Sequence, residues 1–238
     1  MNRSLSRRAV AEFTGTLFLV ATVVGSGVMA ERLANGDVAL ALLANTMATG
    51  AALVALIFTF GGISGAHLNP VVTVMDALER GLPWRETPHY VASQLLGGIT
   101  GAVVAHLMFG LPPISFSHHA RGGGSQVFSE FVATFGLMSV IWGCSRLSFN
   151  AVPFAVGAYI TAAYWFTAST SFANPAVTIA RSLSDTFAGI RPIDVAGFVG
   201  AQFLGGFAAT MLFRWLIPNL QARAKEVMLP RQSPRQSE

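Results

Sequence analysis

Charge is what this chain has least of. Only 11% of its 238 residues are Asp, Glu, Lys or Arg, against roughly 25% in a soluble globular domain. A chain so poor in charge cannot clothe a water-facing surface, and 53% hydrophobic residues with a mean hydropathy of +0.56 point to lipid as its solvent. The net charge of +4 and pI near 10 would suggest nucleic acid in a soluble protein. Here Lys and Arg stand mostly at the ends of apolar runs, where membrane topology accounts for them, and no nucleic-acid partner is expected. Cysteine is nearly absent as well. Cys144 alone excludes an intramolecular disulfide framework and a thiolate metal cluster. His106, His118 and His119 lack metal-ligand spacing, and Gly122–Gly124 has no following Lys-Ser/Thr to make it a phosphate loop. With no nucleophile–base pair and no metal set, neither an enzyme nor a cofactor is expected. The basic start MNRSLSRRAVAEF is not followed by a small-residue cleavage site and a soluble domain, so it reads as a retained first span.

What the chain does have is long apolar runs. Crossing a bilayer core of ~30 Å takes ~20 largely apolar residues. Six stretches qualify: Ala9–Ala30, Val38–Phe60, His89–Phe109, Val127–Ser145, Ala151–Ala168 and Val195–Ile217. Gly110–Ser125, with two Pro, two His and three consecutive Gly, reads as the exposed loop in mid-chain. Residues 218–238 are polar and basic and read as a flexible tail. With the N-terminus inside, eleven of the fifteen Lys and Arg fall on the inner side, leaving Arg32, Arg121, Arg181 and Arg191 outside. That bias predicts both termini in the cytoplasm.

The halves repeat. AEFTGT from Ala11 matches SEFVAT from Ser129, HLNPVVTVMDAL matches FANPAVTIARSL, and SQLLGGITGAVV from Ser93 matches AQFLGGFAATML from Ala201. Three motifs recur in one order, which divides a single domain over 1–238 into repeats at 9–109 and 127–217. Three spans per repeat is an odd number, so the second copy must enter the membrane inverted. Inverted repeats with broken helices place a functional site near the midplane, between the halves.

Each repeat carries one short interruption, GGISGAHLNPVVTVMDALE at Gly61–Glu79 and STSFANPAVTIARSLSD at Ser169–Asp185. Asn69–Glu79 is long enough for about 16 Å of helix at ~1.5 Å per residue, or half a membrane. Pro suits the first helical position, and the Asn before it can cap, with its side-chain NH₂ free to face a lumen. Two such helices entering from opposite faces would aim their positive dipole ends, roughly +0.5 charge each, at one central point. That point attracts the oxygen of a neutral solute and repels cations. Non-helical backbone at this depth is tolerated where it lines an aqueous cavity. The pattern predicts a pore with a cation barrier at its waist.

These residues resemble the major intrinsic protein family, the aquaporins and aquaglyceroporins, over about Glu12 to Ile217. The resemblance implies an all-α membrane protein of six tilted helices plus two re-entrant half-helices, a homotetramer with one pore per subunit, and passive transport across the plasma (inner) membrane. It puts the central constriction at Asn69, Pro70, Val71 and Asn174, Pro175, Ala176, with Val71 where Ala is usual. Glu12 and Glu130, costly at roughly 2.5–3.5 kcal/mol inside a span, are implied to accept backbone N–H bonds from the Asn-Pro loops; a coupling proton site is the sharper alternative. His67 falls in the family's cytoplasmic vestibule.

The family's second constriction has four positions. They fall on Thr49, Ser171, Val177 and, in span five, Tyr164, or Ala162 if counting is gapless. The commonest pattern has Arg where this chain has Val177. A guanidinium offers five donors and a permanent charge; Val offers neither. The expectation is a wide, weakly polar filter passing glycerol-like polyols, urea, neutral metalloid hydroxides such as arsenite, methylated arsenicals and water. A water-selective channel is the alternative, and a secondary transporter a more remote one. Arg181, four residues past Val177, lies on the same helix face. It places positive charge at the outer mouth, or it snorkels or pairs with Asp185. Its counterpart in the first repeat is Asp76, so the expectation is two mouths of opposite sign.

Overall fold

The computed structural model describes residues 4–147 and 151–217, so the tail at 218–238 lies outside the described residues. Among the described residues eight helices follow one another: α1 (Leu5–Leu33), α2 (Val38–Ser64), α3 (Pro70–Leu78), α4 (Thr87–Met108), α5 (Gly124–Leu147), α6 (Val152–Phe166), α7 (Pro175–Arg181) and α8 (Pro192–Leu216). The order long, long, short, long occurs twice, as the repeated motifs require. Among the described residues, five helices are long and apolar enough to cross a membrane. The sixth, α6, has 15 residues, about 22 Å at ~1.5 Å each, and is shorter than the expected 151–168 run. Pro153 sits in its first turn and Thr167 leaves it in an extended conformation.

The short helices are shorter than the motif suggests. α3 has 9 residues and α7 has 7, against eleven between Asn69 and Glu79. Their starts are nearly superposable: Asn69 has φ −156° and ψ 122°, Asn174 φ −157° and ψ 113°. Each Asn caps its own helix, Asn69 Oδ1 accepting from the Val71 N–H at 2.9 Å and Asn174 Oδ1 from the Ala176 N–H at 3.0 Å. Pro follows at the first helical position, where a missing N–H costs nothing.

The long helices pair within each half, α1 with α4 and α5 with α8, and glycine sets how closely. A Cβ on Gly97 would lie 2.3 Å from the Phe13 carbonyl oxygen, and one on Gly205 would lie 2.3 Å from that of Phe131. These equivalent positions let the backbones touch, as small residues do in membrane bundles. α2 meets α6 across the halves, while α3 and α7 each pack on both α4 and α8. The bundle's outer surface carries Phe18, Leu43, Met47, Phe58, Leu96, Leu204 and Trp215 exposed. That is the distribution of a helix bundle solvated by lipid.

Candidate functional site

The two broken segments meet in the middle of the bundle. Asn69 Nδ2 donates to the Ala173 carbonyl at 2.8 Å, and Asn174 Nδ2 donates to the Leu68 carbonyl at 2.7 Å. Each amide thus spends one N–H on the opposite loop and keeps a second. The loops reach this geometry through left-handed residues that are not glycine: Ala66 and Leu68 before α3, Thr170, Ser171 and Ala173 before α7, all with φ between 47° and 59°. Such conformations cost roughly 1–3 kcal/mol each and persist only where surroundings over-determine them.

Glu12 and Glu130 supply that determination. Glu12 Oε1 accepts from the His67 N–H at 3.0 Å and the Ser64 hydroxyl at 2.6 Å; its Oε2 accepts from the Leu68 N–H at 2.7 Å and Gln94 Nε2 at 2.8 Å. Glu130 accepts from the Phe172 and Ala173 N–H groups at 2.9 and 2.8 Å and from Gln202 Nε2 at 2.6 Å. Gln94 reaches on to Thr73 and Gln202 to Thr178, each on the adjacent short helix. Neither carboxylate lines the cavity described next, a poor position for a coupling site.

A cavity of about 130 Å³ runs along the junction. Its wall includes Asn69 and Asn174, and also Thr49, Tyr164, Ser171 and Val177, each buried. Tyr164 lines it and Ala162 does not. The Tyr164 hydroxyl donates to Thr49 Oγ1 at 3.3 Å, tying two of these residues together. Ser171 Oγ is buried without a hydrogen-bond partner among the described residues. Most of the remaining wall is apolar, including Leu19, Val23, Leu53, Leu137 and Ile160. Val71, Pro70, Pro175 and Ala176 stand behind the wall rather than in it. Val71 packs instead against α8, where a Cβ on Gly206 would meet its Cγ1 at 2.4 Å.

The mouths differ. Towards the face where α1 begins, His67 lines the cavity; its Nδ1 lies 3.1 Å from Thr73 Oγ1 and its Nε2 3.6 Å from Asp76 Oδ2. Asp76 itself is buried behind His67 and does not reach the cavity, so it lends this mouth no exposed negative charge. Towards the opposite face, Arg181 is in the wall and 2% exposed. It neither snorkels nor pairs with Asp185. α7 ends at Arg181, so Asp185 falls outside the helix, where it accepts from the His118 N–H at 2.9 Å and ring Nδ1 at 3.0 Å. Those bonds hold the Asp185 carboxyl below the ordinary carboxylate range. Arg181 instead lays its guanidinium over Phe172, 3.4 Å from the ring centroid, and donates from Nε to the Ala188 carbonyl. Nearby His119 has its pKa pushed down by burial, with the positive charges of Arg121 and Arg181 adding to the effect.

Sequence reasoning passed over Phe172 and Arg121, which share this mouth: Arg121 lies 5.1 Å from the same ring. Phe172 follows Ser171 inside the motif, and that adjacency was the available signal. It also passed over a pair at the other end. Arg214 of α8 holds the buried Glu79 just past α3 and donates to the Leu78 carbonyl at 3.2 Å. The matching positions of the second repeat carry no carboxylate–guanidinium pair, His106 Nε2 lying 2.8 Å from Ser184 Oγ.

A helical bundle with two capped half-helices meeting at a central cavity defines a membrane channel, and comparison with known proteins says which kind. The family model described as major intrinsic protein matches residues 1–147. Aquaglyceroporin AqpS of Rhizobium meliloti (strain 1021) is 55% identical over 213 residues, covering 90% of this chain and 91% of that protein. The probable aquaporin NIP4-2 of Arabidopsis thaliana is 31% identical over 85% of this chain and 73% of its own length. Among solved structures, the X-ray structure of the aquaglyceroporin from Plasmodium falciparum superposes with a TM-score of 0.71 at 20% identity, over 92% of this chain and all of that one. The chain belongs to the major intrinsic protein family. It is an integral membrane channel and not an enzyme.

Proposed function

We propose that this protein is a wide-filter channel passing water and small neutral solutes: glycerol-like polyols, urea, arsenite and methylated arsenicals. The observation that carries the reading is Val177, an uncharged side chain in the cavity wall with Thr49, Tyr164 and Ser171. A guanidinium there would narrow the passage and add five donors; these four residues together offer three hydroxyls. The 55% identity to a protein named an aquaglyceroporin supports the same solute class. Asn69 and Asn174, at the dipole ends of α3 and α7, are the central constriction and cation barrier. Pro70, Val71, Pro175 and Ala176 shape it from behind. Glu12 and Glu130 hold the loops, and His67 and Arg181 line the vestibules. We place the channel in the inner membrane as a single domain with both termini cytoplasmic, four copies assembling with one pore each. The charge bias of the loops supports the orientation.

Stopped-flow measurements on proteoliposomes test this. The expected result is flux of glycerol, urea and arsenite alongside water, each falling at least tenfold relative to water in Val177→Arg. Water flux with no solute flux would establish the water-selective alternative instead.

A further inference from the structure

Removing the charge at position 177 has not removed charge from this pore. Arg181 stands one turn further along α7 with its side chain fixed by two contacts. The Phe172 ring lies beneath the guanidinium, the Ala188 carbonyl takes the Nε–H, and Phe172 is itself held by the Glu130 bond to its N–H and by an edge-on contact with the Phe198 ring, 5.2 Å away with the planes at 87°. Its terminal amino groups make no hydrogen bond among the described residues, yet the side chain forms part of the cavity wall. The carboxylates nearby are engaged elsewhere: Glu130 with the Phe172 and Ala173 N–H groups and Gln202, Asp185 with His118, and Asp194 with Arg191 and the Arg121 N–H. Arg121 adds a second positive charge on the same ring, with its own donors spent on the carbonyls of Gly189, Ser169 and Phe187 and on the Thr170 hydroxyl. A buried guanidinium with free donors, a flat apolar backing and no carboxylate bonded to it among the described residues is a site for a planar anion.

We propose that Arg181 is an anion-docking station at this mouth of the pore. A small monovalent carboxylate such as formate seats on its terminal amino groups and obstructs the passage. The anion stops there for an energetic reason. Beyond Arg181 the wall is mostly apolar, with Val177, Ile160 and Leu53 beside the uncharged hydroxyls of Thr49, Tyr164 and Ser171, and stripping an ion of its partners and water is costly there. The half-helix dipoles ahead do not offset that cost. A neutral solute pays no such cost and moves on. The obstruction concerns the same pore as the proposed function, but it holds whether that pore carries solutes or water alone.

The test is therefore osmotic water flux through the full-length protein in proteoliposomes, with external sodium formate titrated against sodium gluconate at constant ionic strength. Gluconate, a bulky carboxylate, is the control. Formate is expected to lower water flux saturably by threefold or more. It should also raise the apparent melting temperature of the detergent-solubilised protein. Arg181→Met should shift both effects to at least tenfold higher formate, Arg181→Lys should fall between, and Arg191→Gln, away from the pore, should match the unaltered protein. Formate without effect on flux or melting in the unaltered protein, or equally effective in Arg181→Met, would overturn the proposal. Absence of glycerol flux with formate inhibition of water flux intact would sink only the solute reading.

Discussion

Replacing Glu130 by Ala puts the loop-holding role to a quantitative test. The carboxylate is fully buried and accepts three hydrogen bonds, from the Phe172 and Ala173 N–H groups and from Gln202. Hydrogen bonds to a charged group contribute ~1.5–3 kcal/mol each, so three lost together cost roughly 4.5–9 kcal/mol by the same rule. Deleting a charge from inside the membrane relieves about 2.5–3.5 kcal/mol. Loss exceeds relief, and the net is destabilisation by about 1–6 kcal/mol. Relaxation pulls towards the lower end, because Thr170, Ser171 and Ala173 sit in left-handed conformations that would open once unsupported. That opening would displace Asn174 and break its bond to Leu68. Permeability should therefore fall more than stability does. The assays are thermal unfolding in detergent and water flux in proteoliposomes, with Glu130→Gln expected between Ala and the unaltered protein because it keeps one acceptor oxygen. Glu130→Ala with an unchanged melting point and unchanged permeability would refute the reasoning. A shift in the pH dependence of flux without loss of stability would point to proton coupling instead.

Three further outcomes are expected. Arg214→Met leaves the fully buried Glu79 carboxylate without its cation; breaking a buried pair costs ~3–5 kcal/mol, and the partial exposure of Arg214 lowers this to about 1–3 kcal/mol, read as a lower melting temperature that Arg214→Lys partly restores. Gly205→Val forces a side chain into the Phe131 carbonyl, so it should part α5 from α8 and abolish assembly of folded protein on size exclusion, while Gly200→Val, at an open position, is tolerated. Asp185, held low by His118, contributes stability that is present above the ordinary carboxylate pKa and lost as pH falls through the depressed value. Protease sensitivity around residues 115–119 should rise in that acid window, and Asp185→Asn should show the raised sensitivity already at neutral pH.

Periodicity, charge scarcity and the paired Asn-Pro motifs were enough to place six membrane segments, two half-helices and an inverted repeat, because each is a local pattern imposed by the bilayer. A span must be apolar for its full length, and an interrupted one must satisfy its backbone nearby. The positions of Thr49, Tyr164, Ser171 and Val177 could likewise be counted from the motifs, though counting left Ala162 beside Tyr164 and the structure puts only Tyr164 in the wall. Contacts between residues distant in sequence were not legible. Glu79 meets Arg214 from the other repeat, and the pseudo-symmetric mates are Ser184 and His106, with no carboxylate or guanidinium between them, so the repeat pattern gave no hint of an ion pair. The fate of Arg181 was open as well. On a helical wheel it faces Asp185, but α7 ends at Arg181, and a loop of left-handed residues carries Phe172 beneath the guanidinium. The amino-acid sequence by itself determined the two broken helices of a pore and four positions that fall in the cavity wall. Only the tertiary structure decided which charge reaches the lumen, because that depends on where two strained loops set their side chains.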